Sequence, residues 1–152
     1  MKIEDLLTVE DIQANLNAGE KIEAIEEMVK LIVDKHPTLD QSTIVKSILE
    51  REKLGSTGIG NGIAIPHCKL KDIENIICCF GRSKKGVDFQ SVDYLPSHIF
   101  FMLIAPEDAA GDHLKALATI SRLCQSPTFR TKLIEAGNAS DIYEIMLQED
   151  QN

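Results

Sequence analysis

The stretch Gly55-Ser56-Thr57-Gly58-Ile59-Gly60-Asn61-Gly62-Ile63-Ala64-Ile65-Pro66-His67-Cys68-Lys69-Leu70 decides the fold. It sets four glycines within eight residues, then a short apolar alternation, then a histidine behind a proline. Upstream, Ile22, Ile25, Met28, Val29 and Ile32 recur at helical spacing between charged residues, which predicts an amphipathic helix over about 19–36, stopped by Pro37. Thr38 with Gln41 has the form of a capping box, and Ile44, Val45, Ile48 and Leu49 carry a second helix to about Lys53, ended by Gly55.

Downstream, Ile63-Ala64-Ile65 reads as a short strand with His67 at its far end. Ile76 to Phe80 and Ile99 to Ile104 are continuous apolar runs, the pattern of strands buried on both faces. Between them, Lys84-Lys85-Gly86-Val87-Asp88-Phe89 reads as a hairpin turn entering a short strand. Ala105-Pro106 breaks the last long strand. From Gly111 onward, His113, Leu117, Ile120 and Cys124 share one side of a helix, with Leu114, Ala118 and Leu123 beside them, and shorter helices follow over about 127–136 and 140–147. The expected fold is α/β, a single domain over 1–152, with a mixed central β-sheet flanked by helices on both faces.

Composition narrows the partners. A formal charge of −8 opposes binding to nucleic acid or an anionic membrane, which both depend on Lys and Arg neutralising phosphate. No apolar run reaches the length of a membrane span and Met1 to Glu10 is not signal-like, so a cytoplasmic location is expected. Cys68, Cys78, Cys79 and Cys124 contain no C-x-x-C pair, and adjacent Cys78 and Cys79 would face opposite ways in a strand, so reduced thiols are expected rather than disulfides or zinc.

The glycine loop is not a nucleotide motif. Dinucleotide and P-loop sites run strand, loop, helix, with phosphate at the new helix N-terminus; here the order is helix, loop, strand. Ile63 stands where the third glycine of the dinucleotide pattern belongs, and no Gly-Lys-Ser/Thr occurs. Glycines that only supply positive φ and tight turning account for most of the loop. They leave open why Ser56, Thr57 and Asn61, with small donor groups, precede a histidine whose backbone direction Pro66 restricts.

An imidazole near neutral pH offers a free nitrogen as base or nucleophile. His67 is the candidate; the alternative is a satisfied surface histidine. His113, in the first turn of its helix, would sit beside unpaired amides in a place that favours a neutral ring and bound anions, or would simply begin the apolar stripe. Arg51, ending the second helix, has a fork suited to phosphoryl oxygens. His36 and His98 are assigned to structure. A metal site from His67, Cys68 and His113 is disfavoured, because the adjacent pair does not readily converge on one ion.

Glu52, Ile59-Gly60 and Ile63-Ala64-Ile65-Pro66-His67-Cys68 resemble the signature of the type-2 enzyme IIA domains of the bacterial phosphoenolpyruvate phosphotransferase system. The block from Arg51 to His67 looks most like the nitrogen-type branch, and a looser likeness extends through Ile104-Ala105-Pro106 and His113-Leu114. The resemblance implies that His67 accepts phosphate, as a tele-phosphohistidine, from an HPr-like phosphocarrier protein, with Arg51 and His113 supporting it at an open rim kept low by the glycines. No cofactor, magnesium or nucleotide is implied. Its partners would be that carrier and either regulatory targets or a separate IIB protein whose cysteine receives the phosphate. The alternatives are a sugar-specific IIA, a binding module without phosphoryl transfer, and a metal-dependent hydrolase. Cys68 departs from the glycine that many relatives carry there; a packed apolar residue is expected in preference to a redox role.

Overall fold

A computed structural model describes residues 1–151. The helices are α1 (Lys21–Lys35), α2 (Gln41–Glu52), α3 (Ala110–Cys124), α4 (Pro127–Glu135) and α5 (Ala139–Gln151). The strands are β1 (Ile12–Gln13), β2 (Gly58–Gly60), β3 (Ile63–Ala64), β4 (His67–Leu70), β5 (Ile77–Val87) and β6 (Ser97–Pro106). They form one mixed sheet in the order β1-β5-β6-β3-β2, with β4 also on β6.

Alternation along the central strands feeds two cores. Cys78, Phe80, Ile99, Phe101 and Leu103 pack with Ile120, Leu133 and Met146 of α3, α4 and α5. Their neighbours Cys79, Phe100, Met102 and Ile104 pack on the opposite face with Ile25, Met28, Val29, Ile44 and Ile48 of α1 and α2. The expected sheet with helices on both faces is therefore present, and Cys78 and Cys79 do point opposite ways. All four cysteines are free and buried.

Several details differ from the sequence reading. The cap of α2 is Asp40, whose carboxylate accepts the Thr43 amide at 3.0 Å; Thr38 lies two residues too early. Lys84 to Gly86 do not form the hairpin turn. They continue β5 through an irregularity in its pairing between Arg82 and Val87, where Gly86 takes φ +94°. Pro106 closes β6 rather than lying beyond it. Ile22 and Leu114, placed with the apolar stripes, are 54% and 68% exposed.

Strands β3 and β4 are two pieces of one line along β6. Ile63 pairs with Ile99 and His67 with Leu103, so the register carries across the break unchanged. The break lies at Ile65-Pro66. Proline has no N–H for the ladder, and Ile65 sends its own N–H to the Thr57 carbonyl at 3.0 Å instead of to β6. His67 consequently opens a new strand rather than trailing the first.

Candidate functional site

Register decides which way the imidazole faces. His67 shares the parity of Ile63 and Ile65, which belong to the α3 side of the sheet, whereas Cys68 belongs to the α2 side. The His67 ring meets that of His113 on α3, centroids 5.3 Å apart. Its Nδ1 lies 2.7 Å from the Ile65 carbonyl oxygen. A carbonyl only accepts, so the neutral ring carries its proton on Nδ1 and leaves the lone pair on Nε2.

A concavity of about 440 Å³ collects the three residues singled out in the sequence. Helix α2 contributes Ser47, Glu50 and Arg51, β4 contributes His67, Cys68 and Lys69, and α3 contributes His113. Leu54, 83% exposed, forms its outer edge. Arg51 Nη1 donates to the Gly55 carbonyl at 3.0 Å, which pins one corner of the guanidinium at the cavity wall. His67 is half-buried, within reach of a visitor.

His113 is 6% exposed, and its Nε2 has no hydrogen-bond partner in the protein. Burial, then the neighbouring His67 and Lys69, hold its pKa below the usual histidine value. A buried ring nitrogen without a partner is costly unless a ligand completes it. The lining includes His113 but none of Ala110, Gly111 or Asp112, and the His113 amide already donates to Ala109. The helix-terminal amides expected beside this ring therefore lie outside the cavity, and the side chain is what α3 provides.

The glycine loop differs from its expected part. Its glycines do not line the cavity. Gly58 and Gly60 pack the loop against residues 91–93, where a Cβ on Gly58 would lie 2.2 Å from Ser91 Oγ, while Gly62 faces His98 and Gly55 open space. Ser56 Oγ donates to the Phe89 carbonyl and accepts the Gly58 amide, while the Asn61 amide donates to Asp93. The Ser56 hydroxyl and the Asn61 backbone N–H thus fasten the loop, and neither residue lines the cavity. Three polar lining residues, Ser47, Glu50 and Lys69, escaped the sequence reading, since each is an ordinary solvated type whose place depends on α2 lying beside β4. His98 Nδ1 bonds the Ser83 carbonyl, the His36 backbone N–H ends α1, and neither residue lines the cavity. Burial pushes the Cys68 thiol up to about 11 against a weaker opposing hydrogen bond from Ser47.

Comparison with known proteins gives this arrangement its context. Residues 5–149 match the family described as "Phosphoenolpyruvate-dependent sugar phosphotransferase system, EIIA 2". The chain belongs to this family. It is 38% identical over 146 residues to a nitrogen regulatory protein of Bradyrhizobium diazoefficiens, covering 96% of this chain and 95% of that one. It is 42% identical over 151 residues to the fructose-specific EIIABC component of Bacillus subtilis, covering 99% of this chain and 24% of that much longer protein. Among solved structures, the nitrogen regulatory protein IIA-Ntr of Neisseria meningitidis superposes with a TM-score of 0.87 at 29% identity, covering 95% of this chain and 98% of that one. This IIA domain is thus a phosphotransferase-system component. No described helix is long and apolar enough to cross a membrane. Among the described residues no cluster of three or more His, Cys, Asp or Glu is placed to hold a metal ion.

Proposed function

We propose that this IIA domain is a phosphocarrier of the nitrogen-regulatory kind, phosphorylated on Nε2 of His67 by the phosphohistidine of an HPr-like carrier. The observation that carries the reading is the Nδ1 contact to Ile65 in a cavity shared with Arg51 and His113. The Nε2 lone pair attacks phosphorus, the donor's P–N bond breaks, and its electron pair returns to the donor ring. Positive charge then develops on the His67 ring, and the Ile65 carbonyl stabilises it through the Nδ1 proton. Transfer of this kind asks mainly for positioning and for charge support on the moving oxygens. Arg51 supplies the charge, and a neutral His113 supplies a hydrogen bond.

The likeness to nitrogen regulatory proteins supports a regulatory output. Phosphate adds roughly two negative charges to the rim where partners dock, which changes the partners that fit. The chain's charge of −8 suits a basic donor protein. A sugar-transport role is the second reading, favoured by the 42% identity to a fructose-specific component.

The deciding experiment is incubation with phosphoenolpyruvate, enzyme I and an HPr-like carrier. Acid-labile label on the native chain and none on His67→Ala is expected; an unlabelled native chain overturns the reading, and continued target binding would then indicate a plain binding module. Mixing the phosphorylated protein with a fructose-type IIB separates the branches, because rapid discharge supports the sugar role.

A further inference from the structure

The Nδ1 contact of His67 is the last link of a hydrogen-bonded series that starts far from the cavity. Lys21, the first residue of α1, places Nζ 2.7 Å from Glu52 Oε1, with side chains 12% and 3% exposed respectively. The same Oε1 accepts the Thr57 amide at 3.1 Å, and Oε2 accepts the Thr57 hydroxyl. Thr57 then offers its carbonyl to the Ile65 amide at 3.0 Å, and Ile65 offers its carbonyl to His67 Nδ1 at 2.7 Å. Lys21 also lies over the Phe89 ring, 4.9 Å from its centroid, which fixes the ammonium at its start.

A buried carboxylate is expensive unless it is paired with a cation and hydrogen-bonded, as Glu52 is with Lys21 and Thr57. Glu52 meets that condition by gripping a single loop residue through both its amide and its hydroxyl. Neither Lys21 nor Glu52 lines the His67 cavity; both face a separate concavity beside Asp88 and Gln90. The pair therefore has no access to a phosphoryl group at His67 and acts on it only through Thr57 and Ile65.

We infer that Glu52, anchored by Lys21, is a positioning residue for His67: by fixing Thr57 it fixes the Ile65 carbonyl, and so the tautomer that presents Nε2. The inference deepens the phosphocarrier reading and rests on it for its catalytic consequence. The structural statement about the ring stands independently.

The test is ¹⁵N NMR of the His67 ring in the full chain, with phosphoryl uptake measured in parallel. The native ring is expected in the Nδ1–H form. In Glu52→Gln and Lys21→Met the two nitrogen shifts should move towards a mixture of tautomers, with uptake slowed roughly tenfold to a hundredfold, the range that loss of near-attack geometry produces. Lys21→Arg should restore the native shifts. Asp150→Asn, which weakens a half-exposed ion pair elsewhere, should leave them unchanged and so controls for destabilisation. If Glu52→Gln does not fold, Thr57→Val is read in its place. Native His67 shifts in a folded Glu52 or Thr57 variant overturn the inference, whereas a native chain that never takes up phosphate overturns the phosphocarrier reading while leaving the tautomer result to be judged alone.

Discussion

The rings of His67 and His113 meet edge to face, with planes inclined at 73° and centroids 5.3 Å apart. At that separation the two rings do not both carry charge at low cost, and the more buried one yields: His113 is held below its ordinary value of 6.5 by burial first and by His67 second. Replacing His67 with Asn should therefore raise the His113 pKa, measured by NMR titration, but leave it below the ordinary value because burial remains. A His113 pKa that does not move would show the rings to be electrostatically independent.

The same shift has a consequence for stability. Between the folded and unfolded pKa values the unfolded chain binds more protons at His113, so stability rises with pH across that interval. The contribution is complete above about 6.5 and is lost as pH falls towards the folded value. Denaturant unfolding of the native protein should show this loss below pH 6.5, and His113→Gln should show a flatter profile there.

Arg51 and His113 are expected to act on the phosphoryl oxygens. A hydrogen bond to a charged group contributes about 1.5–3 kcal/mol, so Arg51→Ala and His113→Ala should each slow phosphoryl uptake by roughly 10- to 150-fold. Circular dichroism should stay native for Arg51→Ala, whose hydrogen bond within the protein goes to the Gly55 carbonyl. Native uptake in either variant would remove that residue from the site.

Much of this site was legible because its parts are local. The spacing Ile25, Met28, Val29 and Ile32 has one physical reading, and the apolar run 99–104 has another; both elements appear where their periods put them. Pro66 before His67 signalled a restricted direction, and the structure turns that restriction into an interrupted strand. What stayed hidden depends on distant backbone. Arg82 is fully buried in β5, where it donates to the carbonyls of Ala14, Leu133, Ile134 and Ala136, and no property of the flanking residues announces partners so far along the chain. The grip of Glu52 on Thr57 was hidden for a different reason. The two are close in sequence, but a glutamate ending a helix is ordinarily solvated, and only Lys21, brought over by the packing of α1 on α2, makes its burial tolerable.

Cys68 sits beside His67 yet should be chemically quiet. With its thiol pushed up to about 11, only about one molecule in a thousand carries a thiolate at pH 8. Alkylation by iodoacetamide at that pH should be far slower than that of a small-molecule thiol, and Cys68→Ala should take up phosphate at the native rate. Fast alkylation that blocks uptake would instead place a reactive thiolate at the site.

Asp150 ties the chain ends together and should govern acid stability. Its carboxylate accepts Arg122 Nη2 at 2.8 Å and the Ile3 amide at 2.7 Å, while Lys2 Nζ donates to the Asp150 backbone carbonyl. Burial alone would raise its pKa, but the hydrogen bonds from Arg122 and Ile3, with the charges of Lys2 and Arg122, outweigh it and the net shift is downward. A lowered carboxylate pKa contributes stability that is present above the unfolded value of about 3.8 and is lost as pH falls through the folded value. Because Arg122 is half exposed and solvent screens it, Asp150→Asn should cost only about 1–2 kcal/mol at neutral pH. The variant and the native protein should converge in stability as pH falls below the lowered pKa of Asp150, where both side chains are uncharged. A difference that persists unchanged to that pH would assign the effect to packing of the α5 end instead of to the ion pair.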